Sequence, residues 1–180
     1  QDINGTYVLP IDNPSGAQSV VLTFGYFDAG NNWWFAVDNI KLTGEPAPLF
    51  YEDFNGVPLG DSVDELNEGV PYPNSWTKTA PAGWTIDDTQ VPNGGMTEWR
   101  GWSFATVEFW NTVAGQSRDS FTAGTGAVAI ADGDEWDDAA HDEGEMTTFL
   151  VTPAIDISGQ EAGSLALRLD SSYRPWDDQT

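Results

Sequence analysis

A carboxylate on the apolar face of a β-strand must find backbone donors, a cationic side chain or a metal ion, because a lone buried charge is expensive. Two stretches of this 180-residue sequence set one there. Side chains two apart share a face of a strand. Over Trp33 to Leu42 that rule groups Trp34, Ala36, Asp38, Ile40 and Leu42, with Asp38 flanked by apolar neighbours. By the same count Glu52 lies between Phe50 and Phe54, and Asp53 follows it. Six Lys and Arg stand against 29 Asp and Glu, so cationic partners are scarce. Hard oxygen ligands from two adjacent strand ends suit calcium, which makes Asp38, Glu52 and Asp53 a candidate cation site. A plainer solution is open beside it: Asp38 accepts backbone hydrogen bonds at a corner of a sheet.

A second acidic group runs through Asp132, Asp134, Glu135, Asp137, Asp138, Asp142, Glu143 and Glu145. Asp132, Asp134 and Glu143 occupy the first, third and twelfth positions of an EF-hand-like loop. The match then fails, because Trp136 takes the fifth position and Asp137 the sixth, where the sharp turn needs Gly. Asp132 and Asp134 remain candidate calcium ligands, with a solvated loop as the alternative. Nine Trp invite a sugar-binding reading, since an exposed indole stacks on a pyranose ring. Trp33, Trp99 and Trp102 are the candidate platforms, against the competing use of each as core.

Catalysis has less to stand on. His141 is the only histidine, it lies inside the acidic run, and neither a Gly-x-Ser-x-Gly elbow nor zinc-ligand spacing accompanies it. The net charge of −23 excludes nucleic acid as a partner, because a polyanion is repelled and there is no basic patch to release its counterions. Such a surface attracts cations and suits a saline or calcium-rich medium. No apolar run approaches the roughly 20 residues of a membrane-spanning helix. There is no Cys, which rules out disulfides without fixing the compartment. The chain opens at Gln1 with no signal peptide, as expected of a processed product or a slice of a longer protein.

The elements that must position these groups read as strands. Thr6 to Ile11, Ser19 to Phe27 and Trp33 to Leu42 are rich in β-branched and aromatic residues and are separated by turn chemistry. Residues 46–48 form a Pro-rich joint, after which Leu49 to Phe54 restarts as a strand. Gly56 to Pro81 reads as a long surface loop. Trp84 to Asp87, Gly126 to Ala131, Met146 to Thr152 and Ser164 to Ser171 are further strands, the last alternating Leu165, Leu167 and Leu169 with polar neighbours. Trp102 to Ala114 is predicted as a short helix stopped by Gly115.

Three of these stretches carry a resemblance. FAVDNIKLTG, Phe35 to Gly44, resembles the closing strand of bacterial extracellular jelly-roll modules related to MAM domains, carbohydrate-binding modules and cleaved-adhesin repeats. LFYEDFNG, Leu49 to Gly56, looks like the opening strand of the same family, and TFLVTPAIDISG, Thr148 to Gly159, is similar to its mid-domain signature. The resemblance implies a structural calcium near the first and last strands, in line with Asp38 and Glu52. Closing-strand chemistry precedes opening-strand chemistry here. Residues 1–45 therefore read as the end of one module and residues 49–180 as the start of another, or as a permuted sandwich in which 1–45 completes the rest.

The expected fold is an all-β antiparallel sandwich of jelly-roll type with long loops and at most a short helix. The expected role is a non-catalytic, secreted structural or adhesive module, a unit of a surface protein or filament whose partners are neighbouring copies or modules of the same protein. A carbohydrate-binding module attached to a secreted hydrolase, with polysaccharide as partner, is the alternative.

Overall fold

In a computed structural model the described residues, 3–175, form an all-β antiparallel sandwich. The large sheet has seven strands. Along it run β1 (Ile3–Ile11), β14 (Leu165–Arg174), β4 (Trp34–Thr43), β11 (Ala127–Asp132), β10 (Ser103–Thr106) and β8 (Trp76–Thr77), while β5 (Pro48–Glu52) pairs with the far half of β4. The small sheet has three: β3 (Thr23–Ala29), β12 (Met146–Val151) and β9 (Thr85–Gln90). Two short pairs, β2 (Ser19–Val20) with β13 (Ile155–Asp156) and β6 (Leu66–Asn67) with β7 (Val70–Pro71), complete the list. Residues from both sides of the Pro-rich joint share these sheets. β4 lies between β14 and β11, β1 is zipped to β14, and β3 to β12.

β4 holds the molecule together because both of its faces are covered. Trp34, Ala36, Val37, Asp38, Ile40 and Leu42 are all fully buried. Simple alternation does not survive along it. Between the pairs Lys41–Arg168 and Asp38–Asp170, β4 advances three residues and β14 two, and Asn39 at this step has φ of +51°. The extra residue is a β-bulge, which inverts the side-chain parity. Trp34, Ala36 and Asp38 thus share one face with Lys41, whereas Phe35 and Val37 share the sandwich interior with Ile40 and Leu42. The expectation that Asp38 sits among Ile40 and Leu42 is corrected by this bulge.

The face carrying Trp34 is roofed by α1 (Val107–Ala114) and the turn that follows it. Trp110 packs edge-on against Trp34 at 5.8 Å between ring centroids. The helix is shorter than the sequence predicts, since Ser103–Thr106 pair with β11 as a strand. Thr106 then caps the helix by accepting the Phe109 N–H, and Gly115, with φ of +60°, ends it. The long segment 56–81 is not free loop throughout. β8 joins the large sheet through β10, β6 and β7 pair with each other, and the amides of Val63, Asp64 and Glu65 all donate to one oxygen of the buried Glu98. No helix of the described residues is long and apolar enough to cross a membrane.

Candidate functional site

Seven strands cannot be covered by three. Where the small sheet stops at β3, the inner face of β1 and β14 lies open as a groove of about 610 Å³. Register builds its floor. Ile3 pairs with Tyr173 and Tyr7 with Leu169, so Ile3, Tyr7 and Leu9 of β1 share a face with Leu169, Ser171 and Tyr173 of β14. Phe35 continues that floor from β4, and Gly25, Tyr26, Phe27 and Asp28 of β3 form the wall. Phe27 is 56 % exposed, Leu9 47 % and Ile3 45 %, an apolar row without a full cover. Aromatic rings dominate the lining: Phe35 meets Tyr173 at 6.0 Å, and Phe27 rests edge-on against Phe149 at 5.2 Å.

The Trp residues expected to supply platforms are elsewhere. Seven of the eight described Trp are buried. Trp99 is stacked on Phe109 and donates its Nε1–H to Glu65 at 3.0 Å. Trp102 packs edge-on against Phe35 at 5.4 Å. Neither offers a face to a ligand, because both covered faces of the large sheet consume large rings, and the expectation of exposed platforms at Trp99 and Trp102 is corrected. Trp33 is half-buried, with the Arg174 guanidinium 3.6 Å above its ring. The groove rings, Tyr7, Phe27 and Tyr173, were not singled out in the sequence; period-two alternation along β1 and β14 was the signal that could have found Tyr7 and Tyr173, whereas Phe27 lies at a bulge of β3, which leaves no periodic trace.

Two acidic clusters occupy the opposite face of the large sheet. In the first, Asp132 ends β11 and caps α2 (Gly133–Trp136) through the Glu135 N–H. The Arg118 guanidinium meets it bidentately, Nε to Oδ2 and Nη2 to Oδ1, both at 2.9 Å, and Trp110 Nε1 donates to Oδ2 at 2.8 Å. Arg118 also reaches Asp134 at 2.9 Å and Glu135 at 3.2 Å, while its guanidinium carbon sits 4.5 Å from the Trp34 ring centroid. Burial alone would lower the Arg118 pKa, but Asp132, Glu135 and Asp134 reverse that and raise it. Desolvation and the Asp132 charge push the Glu135 carboxyl up to about 8 against the pull of Arg118. Asp132 and Asp134 therefore have a buried guanidinium as their cation, and the helical turn of α2 stands where an EF-hand loop would bend. Glu143 is exposed. Arg118 was missed in the sequence because a lone Arg in a polar turn carries no periodic signal.

The second cluster centres on Asp38. Its Oδ1 accepts the Asn39 N–H at 2.7 Å and its Oδ2 the Thr125 N–H at 3.0 Å. Asp170 is paired across from it; Asn39 Nδ2 donates to Asp170 at 2.9 Å, and the Thr6 hydroxyl bonds to the same carboxylate. Arg168 is half-buried, with its Nη2 3.7 Å from the Asp170 carboxylate. Desolvation pushes the Asp38 carboxyl up to about 7 against the Thr125 and Asn39 amides, and the charges of Asp53 and Asp170 add to the rise. The structure thus brings Asp38 together with Asp53 and Asp170. Glu52 is opposite Ile40, on the other side of the bulge, and accepts the Phe54 N–H at 2.8 Å. Asp53 caps its own turn through the Asn55 N–H. Among the described residues no three His, Cys, Asp or Glu side chains converge as a ready-made metal cage.

No family model, no curated protein and no solved structure matches the chain.

Proposed function

We propose that the chain is a non-catalytic, secreted β-sandwich module with a structural or adhesive role, one unit of a surface protein or filament that engages neighbouring modules. The observation that carries this reading is the solvent-open apolar groove over β1 and β14, a surface of the kind that marks an interaction site. The resemblance of Phe35–Gly44 and Leu49–Gly56 to extracellular jelly-roll modules supports the same class. Calcium is the cation this reading assigns to the Asp38 cluster, with Asp53 and Asp170 supplying further oxygens and backbone carbonyls and water the remainder, as a hard cation accepts. The rings of Tyr7, Phe27 and Tyr173 around the groove favour a second reading, a carbohydrate-binding module.

Beads coated with the module, presented to cells that produce it and to a panel of polysaccharides, separate these readings. The adhesive role expects attachment to the cells, no retention by polysaccharide and loss of attachment on Phe27→Lys. Retention by a polysaccharide that Phe27→Lys abolishes would replace the adhesive reading with the glycan one. Release of sugar or phosphate from any substrate would overturn the non-catalytic class.

A further inference from the structure

The groove is not merely apolar; it has the shape of a missing strand. Its floor is the inner face of β1 and β14, and its wall is the outer edge of β3, whose backbone pairs with β12 on one side alone. A strand laid beside β3 would extend the small sheet over that floor. The outermost strands of both sheets differ in how they resist such pairing. β1 carries Pro10, β9 carries Asp87 and Asp88, and β8 is two residues long, all devices that blunt an edge. β3, Thr-Phe-Gly-Tyr-Phe-Asp-Ala, has neither Pro nor Lys and bears a single charge near its end. Among the described residues, the stretch Thr23–Tyr26 of β3, before the bulge at Phe27–Asp28, is an edge with neither Pro nor charge, and it borders the groove.

The geometry points to an extended polypeptide partner that adds to β3 as a further strand, burying apolar side chains from alternate positions in the groove and presenting basic residues outward. This deepens the adhesive reading and rests on it. The alternation follows from the floor, which accepts one face of a strand. The basic face follows from charge: a partner strand comes to a chain of net charge −23, with Asp28 at the groove wall. A second copy fits poorly, since it brings the same charge, and every strand of the described residues already has a pairing partner in its own sheet.

The probe is a synthetic peptide matched to the seven residues of β3, alternating Val or Ile with Lys, measured by fluorescence anisotropy on the intact chain. Two controls accompany it, a scramble that breaks the alternation and a version with Glu in place of Lys. The alternating Lys peptide is expected to bind about tenfold or more tighter than either control, to weaken with salt, and to slow amide exchange within Thr23–Ala29. Phe27→Lys should remove that preference, whereas Val8→Lys, at a 63 % exposed site on the other face of β1, should leave it intact. Cooperative unfolding of both variants shows that they fold. Equal binding of the scramble, protection outside β3, self-association abolished by Phe27→Lys, or a glycan that occupies the groove would each overturn the strand-partner proposal. If peptide binding fails while cell attachment remains sensitive to Phe27→Lys, the adhesive role stands without this occupant; if both fail, both fall.

Discussion

Asp132 and Asp38 lie on the same face of the large sheet, on adjacent strands, and both are fully buried. Asp132 has each of its oxygens engaged by a guanidinium N–H and a further donor, and the guanidinium is roofed by indole. Asp38 has backbone amides and an Asn, with two more carboxylates close by. One region holds its cation within the chain; the other is a buried carboxylate whose neighbours add to its cost. An acidic count does not identify the charge in need of an ion. What decides is where the few cationic side chains land. The run with more acids, 132–145, contains the better-satisfied buried carboxylate.

Removing the cation from the satisfied region should have the largest effect. Arg118→Met leaves Asp132 buried without its partner, and unfolding in urea should show a loss of about 3–5 kcal/mol. A loss under about 1 kcal/mol would erase the contrast between the regions. Adding a cation to the other region comes next. Calcium at about 100 times its Kd should stabilise the chain by about 2.7 kcal/mol, read as a higher melting temperature that chelator reverses. Asp170→Asn should diminish that gain, while Asp134→Asn, on the Arg118 side, should not. A melting temperature indifferent to both calcium and chelator would remove calcium from the Asp38 cluster.

Titration in chelator sharpens the comparison further. Native Asp38 keeps its proton to about 7, whereas the unfolded chain releases it near 3.8. Between those values the folded state binds more protons, so stability falls as pH rises, with a slope below about 1.4 kcal/mol per pH unit for this one group. Glu135 continues the fall toward about 8. Asp38→Asn should flatten the lower part of the curve and Glu135→Gln the upper part; a single flattening common to both variants would show that the regions titrate as one. The smallest effect belongs to His141, which bonds Asp137 at 2.6 Å and stacks on Trp136. Its pKa is raised by the Asp137 hydrogen bond, so its contribution is full below the ordinary value of 6.5 and is lost as pH climbs past the raised one. His141→Asn should cost less than about 1 kcal/mol at pH 5 and nothing measurable at pH 9.

The strands were legible because burial on one face writes a period of two into the chain, as Leu165, Leu167 and Leu169 show. The need of Asp38 for partners was legible for the same reason. Its partners were not. A single bulge at Asn39 turned Glu52 away and brought Asp170 alongside, and a bulge leaves no periodic trace. The helix was read one element too long because Ser103–Thr106 are as compatible with a helix as with a strand until β11 offers them hydrogen bonds. Tryptophan count suggested exposed rings, but the large sheet is packed on both faces, and that demand took seven of them.

By itself the sequence determined that this chain is all-β, that it is strongly acidic, and that a carboxylate is buried in its central strand. Each of these follows from local periodicity or from composition. Tertiary structure decided that residues on both sides of the Pro-rich joint share one pair of sheets, that Arg118 serves Asp132, and that a groove opens where the small sheet stops. The shared sheets and the groove depend on pairings between residues more than 100 positions apart, such as Ile3 with Tyr173, while Arg118 meets Asp132 only because α1 and the turn after it fold back over the sheet. Hydrogen-bond partners at that distance are chosen by which edges and faces the whole fold leaves uncovered, and no local pattern records the choice.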